Sequence, residues 1–407
     1  MADRVANAPA LPAIRIVAAG IAALAVAMGI GRFAFTPLLP PMQAALGFGN
    51  DVAGWLASAN HAGYLAGALA AAWLPAAWPR RVVAWWGLLG VIALTTAMAA
   101  SESLAVWFVL RFLTGIASAV VLVFATATVL DGLRRQGRTD LAGVHFGGVG
   151  LGIALSGTLL AVLGQGIGWR GGWVAVAVLG LGLVAICRGL PPASPVPPAG
   201  TAGAAVSAPA DRAHRQATWV LIGAYFLEGV GYIVTGTFLV AIARGEASLA
   251  PYAGWFWVVV GLAGAPSALL WTMAGRVIGP WRALMLAYGV QALGIVLPAV
   301  APGLLPASAA FVVSSLLFGG TFMGITALLL PLGATVAPVR PDRVMALLTA
   351  SFGLGQILGP IAAGQISAGG RGFAPALIAA AGTIALGCAL LGVGWRAARH
   401  WRQRAGS

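Results

Sequence analysis

Apolar stretches of about 20 residues or more, separated by short polar segments, follow one another along the chain. A helix of that length crosses the hydrocarbon core of a bilayer, so the pattern predicts an all-α membrane protein. The first stretch contains Pro37, Pro40 and Pro41, which predict a bend or stop there. Twelve transmembrane helices are predicted, near residues 14–45, 51–74, 81–100, 103–132, 140–165, 170–189, 217–243, 251–275, 281–301, 304–335, 342–368 and 371–396.

Arginines are distributed unevenly between the two sets of loops. Only Arg170, Arg244 and Arg371 fall in one set. Because cytoplasmic loops of membrane proteins are rich in basic residues, we expect the basic set, both termini included, to lie in the cytoplasm of a bacterial inner membrane. That set holds Arg4, Arg15, Arg80, Arg81, Arg134, Arg135, Arg138, Arg188, Arg212, Arg215, Arg276, Arg282, Arg340, Arg343, Arg396, Arg399, Arg402 and Arg404.

Composition excludes a soluble protein. The chain is 60% hydrophobic and 8% charged, with a mean hydropathy of +0.95, so lipid must be its main solvent. The net charge of +14 lies in short loops between apolar helices, which indicates topology rather than nucleic-acid binding. The four histidines, His61, His145, His214 and His400, form neither a metal-ligand pattern nor a nucleophile–base pair. We therefore expect no metal, no cofactor and no enzymatic activity.

The chain divides into two halves of six spans each. Residues 190–216 are rich in Pro, Gly, Ala and Ser, with little to bury, which predicts a cytoplasmic linker between domains at 1–189 and 217–407. Glycines recur from one half to the other: Gly29 and Gly31 correspond to Gly229 and Gly231 at an offset of 200 residues. A duplicated unit around a site at the bilayer midplane is typical of secondary transporters.

These features resemble the major facilitator superfamily over the full chain. Arg111–Gly115 in the fourth span is similar to a family motif with a buried Arg. The segments Gly29–Pro40 and Ser58–Gly67 resemble the YbfB/YjiJ-type branch. The chain departs from the family in the loop after the second span, where Ala71 occupies the position of a usual Asp. The resemblance implies a carrier that alternates its access between the two sides of the membrane.

Glycines of the fifth and eleventh spans form a second shared motif. Residues 148–157 resemble the superfamily's Gly-rich fifth-helix motif with Ile153 in place of its Pro, and residues 355–364 fit it with the Pro present. Because small residues let helices approach closely, we predict that these positions allow the two halves to pack and rock, although ordinary helix packing explains them equally well. The predicted gating and packing residues are Gly148, Gly152, Gly157, Gly355, Gly359, Pro360 and Gly364.

Three charged residues lie deep within the predicted spans: Arg32, Arg111 and Glu228. An ionised side chain there costs about 2.5 to 3.5 kcal/mol, so such residues are usually functional. In the superfamily the first, fourth, seventh and tenth helices line a central cavity, and the resemblance would bring all three charges to it. Arg binds a carboxylate through two parallel hydrogen bonds, whereas Glu228 is able to gain and lose a proton. A structural ion pair between Glu228 and one Arg is the alternative.

Further polar residues surround these charges along the spans. With Arg32 and Arg111, the predicted substrate-binding residues are Asn60, His61, Tyr64, Tyr225, Tyr232 and Gln356, and Glu228 is the predicted proton-coupling residue. A lone His in an apolar helix is more often a packing residue, so His61 is the weaker candidate.

The sequence thus predicts a monomeric secondary transporter of a small organic solute, most simply an organic acid, with protons as the coupling ion. A proton antiporter exporting drugs or lipophilic solutes is the second hypothesis, and a non-transporting membrane sensor is the third. Measured flux in proteoliposomes separates a carrier from a sensor. The substrates predicted by the first two hypotheses differ in charge, which a binding screen detects.

Overall fold

The computed structural model describes residues 11–71, 73, 78–191, 212–302, 304–336, 341–370 and 372–405. Most of the predicted linker, 190–216, lies outside the described residues. Helices account for nearly all of the described chain. They are α1 Ala13–Leu24, α2 Phe35–Leu46, α3 Asn50–Ala71, α4 Arg80–Ala97, α5 Leu104–Arg135, α6 Ala142–Ile186, α7 Arg212–Gly245, α8 Ala253–Ile278, α9 Pro280–Val300, α10 Ala307–Val336, α11 Pro341–Ser367 and α12 Ala374–Ala405.

Eleven segments of the described chain are long and apolar enough to cross a membrane. One of them, Ala13–Leu46, combines α1 and α2. Helix α6, together with the short 3-10 turns at its two ends, supplies two, Thr139–Leu163 and Gly166–Gly189, and is kinked at Gly168 (φ 62°). Helix α3 corresponds to the predicted second span and is 22 residues long, but it is more polar and is not one of the eleven. The all-helical membrane fold is confirmed, whereas a twelfth span remains a prediction.

The first span is interrupted earlier than its prolines predict. A π-helical segment, Ala25–Ile30, follows α1, and a turn over residues 31–34 separates it from α2. The amide of Phe33 donates to the carbonyl of Met28, a bond one residue longer than that of an α-helix. Pro40 and Pro41 lie inside α2, which continues to Leu46. The prediction of a bend or stop at the prolines is therefore wrong in position, and the irregular backbone lies beside Arg32.

Hydrogen bonds identify the two ends of the helical bundle. At the end that we call the Arg-rich end, Arg80 pairs with Asp131 at 2.9 Å, and Arg81 donates to the carbonyl of Arg188. At the opposite end, Arg170 pairs with Glu102 at 2.7 Å. These exposed or half-exposed pairs contribute little to stability. They show that Arg80, Arg81 and Arg188, three arginines of the predicted basic loops, lie at the same end of the bundle.

Glycines create two equivalent close contacts between the first and second halves of the sequence. A Cβ atom on Gly54 of α3 would lie 2.2 Å from the carbonyl oxygen of Pro360 in α11. Gly261 of α8 lies 207 residues after Gly54, and a Cβ there would lie 2.3 Å from the amide nitrogen of Ala154 in α6. In both contacts one helix backbone lies directly against another. This is possible because glycine has no side chain that would hold the two helices apart. The internal repeat of the sequence is thus visible in the packing.

The predicted gating glycines divide into two groups. Gly148 and Gly152 lie against α1 and the π-helical segment, and Gly355 and Gly359 lie against α7, so these four pack within their own half of the sequence. The other three positions lie across the halves: Gly157 contacts Val258, the carbonyl of Pro360 faces Gly54, and Gly364 would place a Cβ 2.4 Å from the carbonyl of Asn50. The prediction that all seven positions let the two halves pack on each other is wrong for the first group, since the neighbours of these four glycines belong to the same half.

Substituting Gly54 by alanine should disfavour the observed packing of α3 on α11. The added methyl overlaps the backbone of Pro360, and overpacking of this kind costs about 1 to 3 kcal/mol, or about a 5- to 150-fold change in population. We expect a cysteine at Thr237, which is buried in α7 and lines a small space together with Ala57 of α3, to become more reactive towards an impermeant thiol reagent in a background without Cys187 and Cys388. Gly182→Ala, with open space around it, is the control. Unchanged labelling in Gly54→Ala would contradict the role of this contact.

Candidate functional site

A cavity of about 210 Å³ lies between the two halves of the sequence. Its walls come from the first span and from α3, α5, α6, α7, α10 and α11. Several lining residues, among them Ala68, Phe146, Leu330 and Thr349, lie near the Arg-rich ends of their helices. Towards the opposite end the helices close: the hydroxyl of Thr36 donates to the carbonyl of Gly236 at 2.6 Å. The cavity therefore extends from the middle of the bundle towards the Arg-rich end.

Arg32 supplies the positive charge of this cavity. Its side chain is 3% exposed and donates from Nη2 to Oε1 of Gln356 at 2.5 Å. The guanidinium carbon also lies 4.6 Å from the ring centroid of Tyr64, a cation–π contact. Among the described residues, no acidic side chain lies within ion-pair distance of Arg32, and its Nε has no hydrogen-bond partner. The charge is thus held by a neutral amide and a ring rather than neutralised.

Stacked aromatic rings form one wall of the cavity. The rings of Tyr225 and Phe352 stack at 4.2 Å between centroids, and Tyr232 stacks on Phe352 at 5.4 Å with the planes 8° apart. Phe322 continues the series, 6.3 Å from Tyr232. The amide of Gln356 donates to the hydroxyl of Tyr232, which joins this wall to Arg32. A single cation next to flat apolar surface suits a small solute with one anionic group.

Arg111 lies behind Arg32, outside the main cavity. It lines a separate space of about 10 Å³ with His61 and Thr36, close to the smallest volume that holds one water molecule. Its guanidinium donates to the carbonyls of Gly31 at 3.5 Å and Arg32 at 3.4 Å. The same group stacks 4.5 Å from the ring of Phe35. Arg111 therefore holds the irregular backbone that follows the π-helical segment.

Two polar atoms that line this small space lack hydrogen-bond partners. Nδ1 of His61 and Nε of Arg111 are buried with no partner among the described residues. Asn60 donates to the carbonyls of Arg111 at 3.0 Å and Gly31 at 3.4 Å. The amide of Asn60 thus links α3 to α5 and to the first span. In this conformation Asn60 contributes to helix packing.

Glu228 lies outside both cavities. Its carboxyl group is 1% exposed and lies between α7 and α9, where Nε2 of Gln291 donates to its Oε1 at 2.9 Å. Among the described residues Glu228 forms no salt bridge, and its Oε2 has no hydrogen-bond partner. The expectation that Glu228 shares one chamber with Arg32 and Arg111 is therefore wrong. The alternative, an ion pair between Glu228 and an Arg, is not found in this conformation either.

Residues 24–392 match the family described as "Uncharacterised MFS-type transporter YbfB". The chain belongs to this family of major facilitator transporters. Two crystal structures of the nucleoside transporter NupG have the same fold as this transporter. A point mutant of NupG superposes with a TM-score of 0.74 at 15% identity, and a second structure with 0.69 at 16%; each covers 93% of this chain and 99% of NupG. No curated protein matches the chain. The protein is thus a membrane-embedded transporter and not an enzyme.

The transporter brings five of the predicted substrate-binding residues to one cavity. These are Arg32, Tyr64, Tyr225, Tyr232 and Gln356. Arg111 and His61 lie in the adjacent small space, and Asn60 lies in a packing contact. Their roles remain predictions.

Sequence reasoning missed Gln291 and Phe352. Gln291 was recognisable as a polar residue inside an apolar span, since polar residues are costly there. Phe352 gave no such signal, because one aromatic residue in a transporter helix is ordinary.

Proposed function

We propose that this transporter moves a small organic anion, most simply a carboxylate, across a bacterial inner membrane by alternating access and couples that movement to protons. It acts as a monomer built from two six-helix halves, with the linker and both termini in the cytoplasm. The observation that carries this proposal is Arg32, a permanent positive charge in the cavity wall that has no acidic partner in the part of the chain that the structure describes. A bound anion neutralises that charge, whose presence otherwise costs about 2.5 to 3.5 kcal/mol.

The cavity also limits the size of the substrate. Its volume of about 210 Å³ is below the range of about 300 to 1,000 Å³ usual for drug-sized ligands. A guanidinium offers two parallel hydrogen bonds to a carboxylate, while the rings of Tyr232 and Phe352 favour a flat or apolar body. In this proposal the carboxylate binds Arg32 and displaces the amide of Gln356. The substrate body then lies against the aromatic wall.

A thermal-shift screen of the purified transporter tests the substrate class. Ligands that bind only the folded protein stabilise it, by about 2.7 kcal/mol at a concentration of 100 times Kd. We expect small monocarboxylates to raise the melting temperature and the matching primary amides, which lack the charge, to leave it unchanged. Stabilisation by lipophilic cations with no effect of carboxylates would overturn the proposal in favour of an exporter of lipophilic solutes.

A neutral flat solute is the second candidate. The stacked rings of Tyr225, Phe352 and Tyr232 favour it, and the NupG structures of the same fold belong to a protein described as a nucleoside transporter. Nucleosides therefore belong in the same screen. Arg32 weighs against this candidate, because a neutral ligand leaves its charge uncompensated in the cavity. A shift with nucleosides and none with carboxylates would select it.

The membrane orientation is tested by labelling two single cysteines from outside intact cells. Thr139→Cys lies at the Arg-rich end and Ser103→Cys at the opposite end, both in exposed positions, in a background lacking Cys187 and Cys388. Because basic loops remain cytoplasmic, we expect an impermeant maleimide to label Ser103→Cys alone. Permeabilised cells, in which both positions should react, serve as the control. Labelling of Thr139→Cys in intact cells would reverse the orientation.

A further inference from the structure

Glu228 and Gln291 form an incomplete hydrogen-bonded pair between α7 and α9. Glu228 is 1% exposed and Gln291 is fully buried. One bond joins them, from Nε2 of Gln291 to Oε1 of Glu228 at 2.9 Å. The two remaining oxygens, Oε2 of Glu228 and Oε1 of Gln291, are both buried and have no partner among the residues that the structure describes. Each of the two side chains thus has one satisfied and one unsatisfied end.

A proton on Glu228 would satisfy both ends at once. Two oxygens that only accept cannot bond to each other, and a buried unsatisfied acceptor is unfavourable. Protonation turns Oε2 of Glu228 into a donor, and Oε1 of Gln291 is the buried acceptor of the pair that lacks a partner among the described residues. The acid and the amide then close a ring of two hydrogen bonds. We propose that Gln291 is a positioning residue that holds Glu228 as a protonated acid in the conformation whose cavity extends to the Arg-rich end.

The other groups around Glu228 do not offer a competing charge. Tyr288 of α9 donates its hydroxyl to the carbonyl of Ala224 at 3.1 Å, and Tyr225 of α7 donates to Thr326 at 3.1 Å. Cys388 of α12 donates to the carbonyl of Met285. Tyr232 lies one helical turn from Glu228, and its hydroxyl accepts from Gln356, the residue that also bonds Arg32. Among the described residues, Arg32 and Glu228 form no salt bridge, and the hydrogen bonds of Arg32 lead to Gln356 and Tyr232, which are both neutral.

This arrangement separates the proton from the substrate. The anion would bind Arg32 in the cavity, while the proton resides between α7 and α9, outside the residues that line the cavity. Release of the proton leaves the carboxylate facing the carbonyl oxygen of Gln291, so the amide must rotate or water must enter. A movement of α7 that opens this interface would therefore favour release of the proton from Glu228. The inference deepens the proton coupling of the proposed function and rests on it for its role in transport.

Infrared spectroscopy of the purified transporter at neutral pH tests the pair without any substrate. In the unaltered protein we expect a carbonyl absorption of a protonated carboxylic acid that shifts in heavy water and is lost in Glu228→Gln. In Gln291→Met, which keeps length but removes both hydrogen bonds, the absorption should move to higher wavenumber. Gln43→Met is the matched control, since Gln43 bonds Phe48 and Asn50 far from Glu228.

Two results would overturn the inference. The absence of any acid absorption that Glu228→Gln removes would mean that the group is ionised here. An absorption unmoved in Gln291→Met would mean that Gln291 does not hold the proton. If Gln291→Met fails to fold, Gln291→Asn retains the amide on a shorter side chain and should move the absorption in the same direction. A failed carboxylate screen leaves these spectra intact, and failed spectra leave the screen intact, so the two proposals fail separately.

Discussion

Replacing Arg32 by glutamine is expected to weaken binding of the anionic substrate by about 10- to 150-fold, because a charge-assisted hydrogen bond contributes about 1.5 to 3 kcal/mol. The affinity of Arg32→Lys for the substrate should lie between that of the unaltered protein and that of Arg32→Gln, since an ammonium keeps the charge but loses the two-point contact with a carboxylate. The measurement is the carboxylate concentration that gives half of the maximal thermal shift, together with KM in proteoliposomes.

Arg170→Gln is the matched control for Arg32→Gln. Arg170 is an exposed arginine at the opposite end, paired with Glu102, and its loss should leave binding unchanged. If Arg32→Gln binds carboxylates as tightly as the unaltered protein, Arg32 does not recognise the substrate. The positive charge of the cavity would then be structural.

Replacing Glu228 by glutamine should abolish accumulation of substrate driven by a pH difference while leaving exchange of internal for external substrate intact. Glutamine keeps the size and is able to form both hydrogen bonds with Gln291, but it fixes the neutral state, so no proton travels with the carrier. Accumulation and counterflow are measured in the same proteoliposomes. Only accumulation driven by the pH difference should be lost, so that the substrate concentration inside the proteoliposomes does not exceed the concentration outside.

The control for this experiment is Glu246→Gln. Glu246 is an exposed acid just after α7, and its loss should spare both activities. Accumulation by Glu228→Gln against a gradient would show that the proton is carried by another residue. Loss of both activities would show that Glu228 is needed for folding or for movement of α7.

The fold was predictable because a helix needs about 20 apolar residues to cross the lipid bilayer. The composition of the site was harder to predict, because it depends on the direction in which each side chain leaves its helix. Tyr225 and Tyr232 lie seven residues apart and share a face of α7, so both line the cavity. Glu228 lies between them in sequence but, at about 100° per residue, points about 60° away from Tyr225. That rotation is enough to direct its carboxyl group to α9 and Gln291 instead. Loop charges and apolar lengths carry no information on such a rotation.

The close contacts between halves were predictable only in part. The repeat of Gly157 and Gly364 indicated equivalent positions, and both lie across the halves. Gly54 and Gly261 were not singled out, because one glycine among 58 gives no signal of its own. Which glycine faces which backbone is decided by how the helices cross, and that requires three-dimensional coordinates. The π-helical segment before Arg32 was missed for the same reason: nearby prolines suggested a break, but not the exact register of the hydrogen bonds.

The hydrogen bonds from Arg111 to the carbonyls of Gly31 and Arg32 affect how genetic data on this transporter should be interpreted. In a saturation library scored by growth on a transported substrate, codons 32 and 111 would both tolerate almost nothing, and the two positions would be classified alike. Abundance in the membrane should separate them: most replacements at 111 would reduce the amount of protein that survives quality control, while those at 32 would leave inactive protein in place.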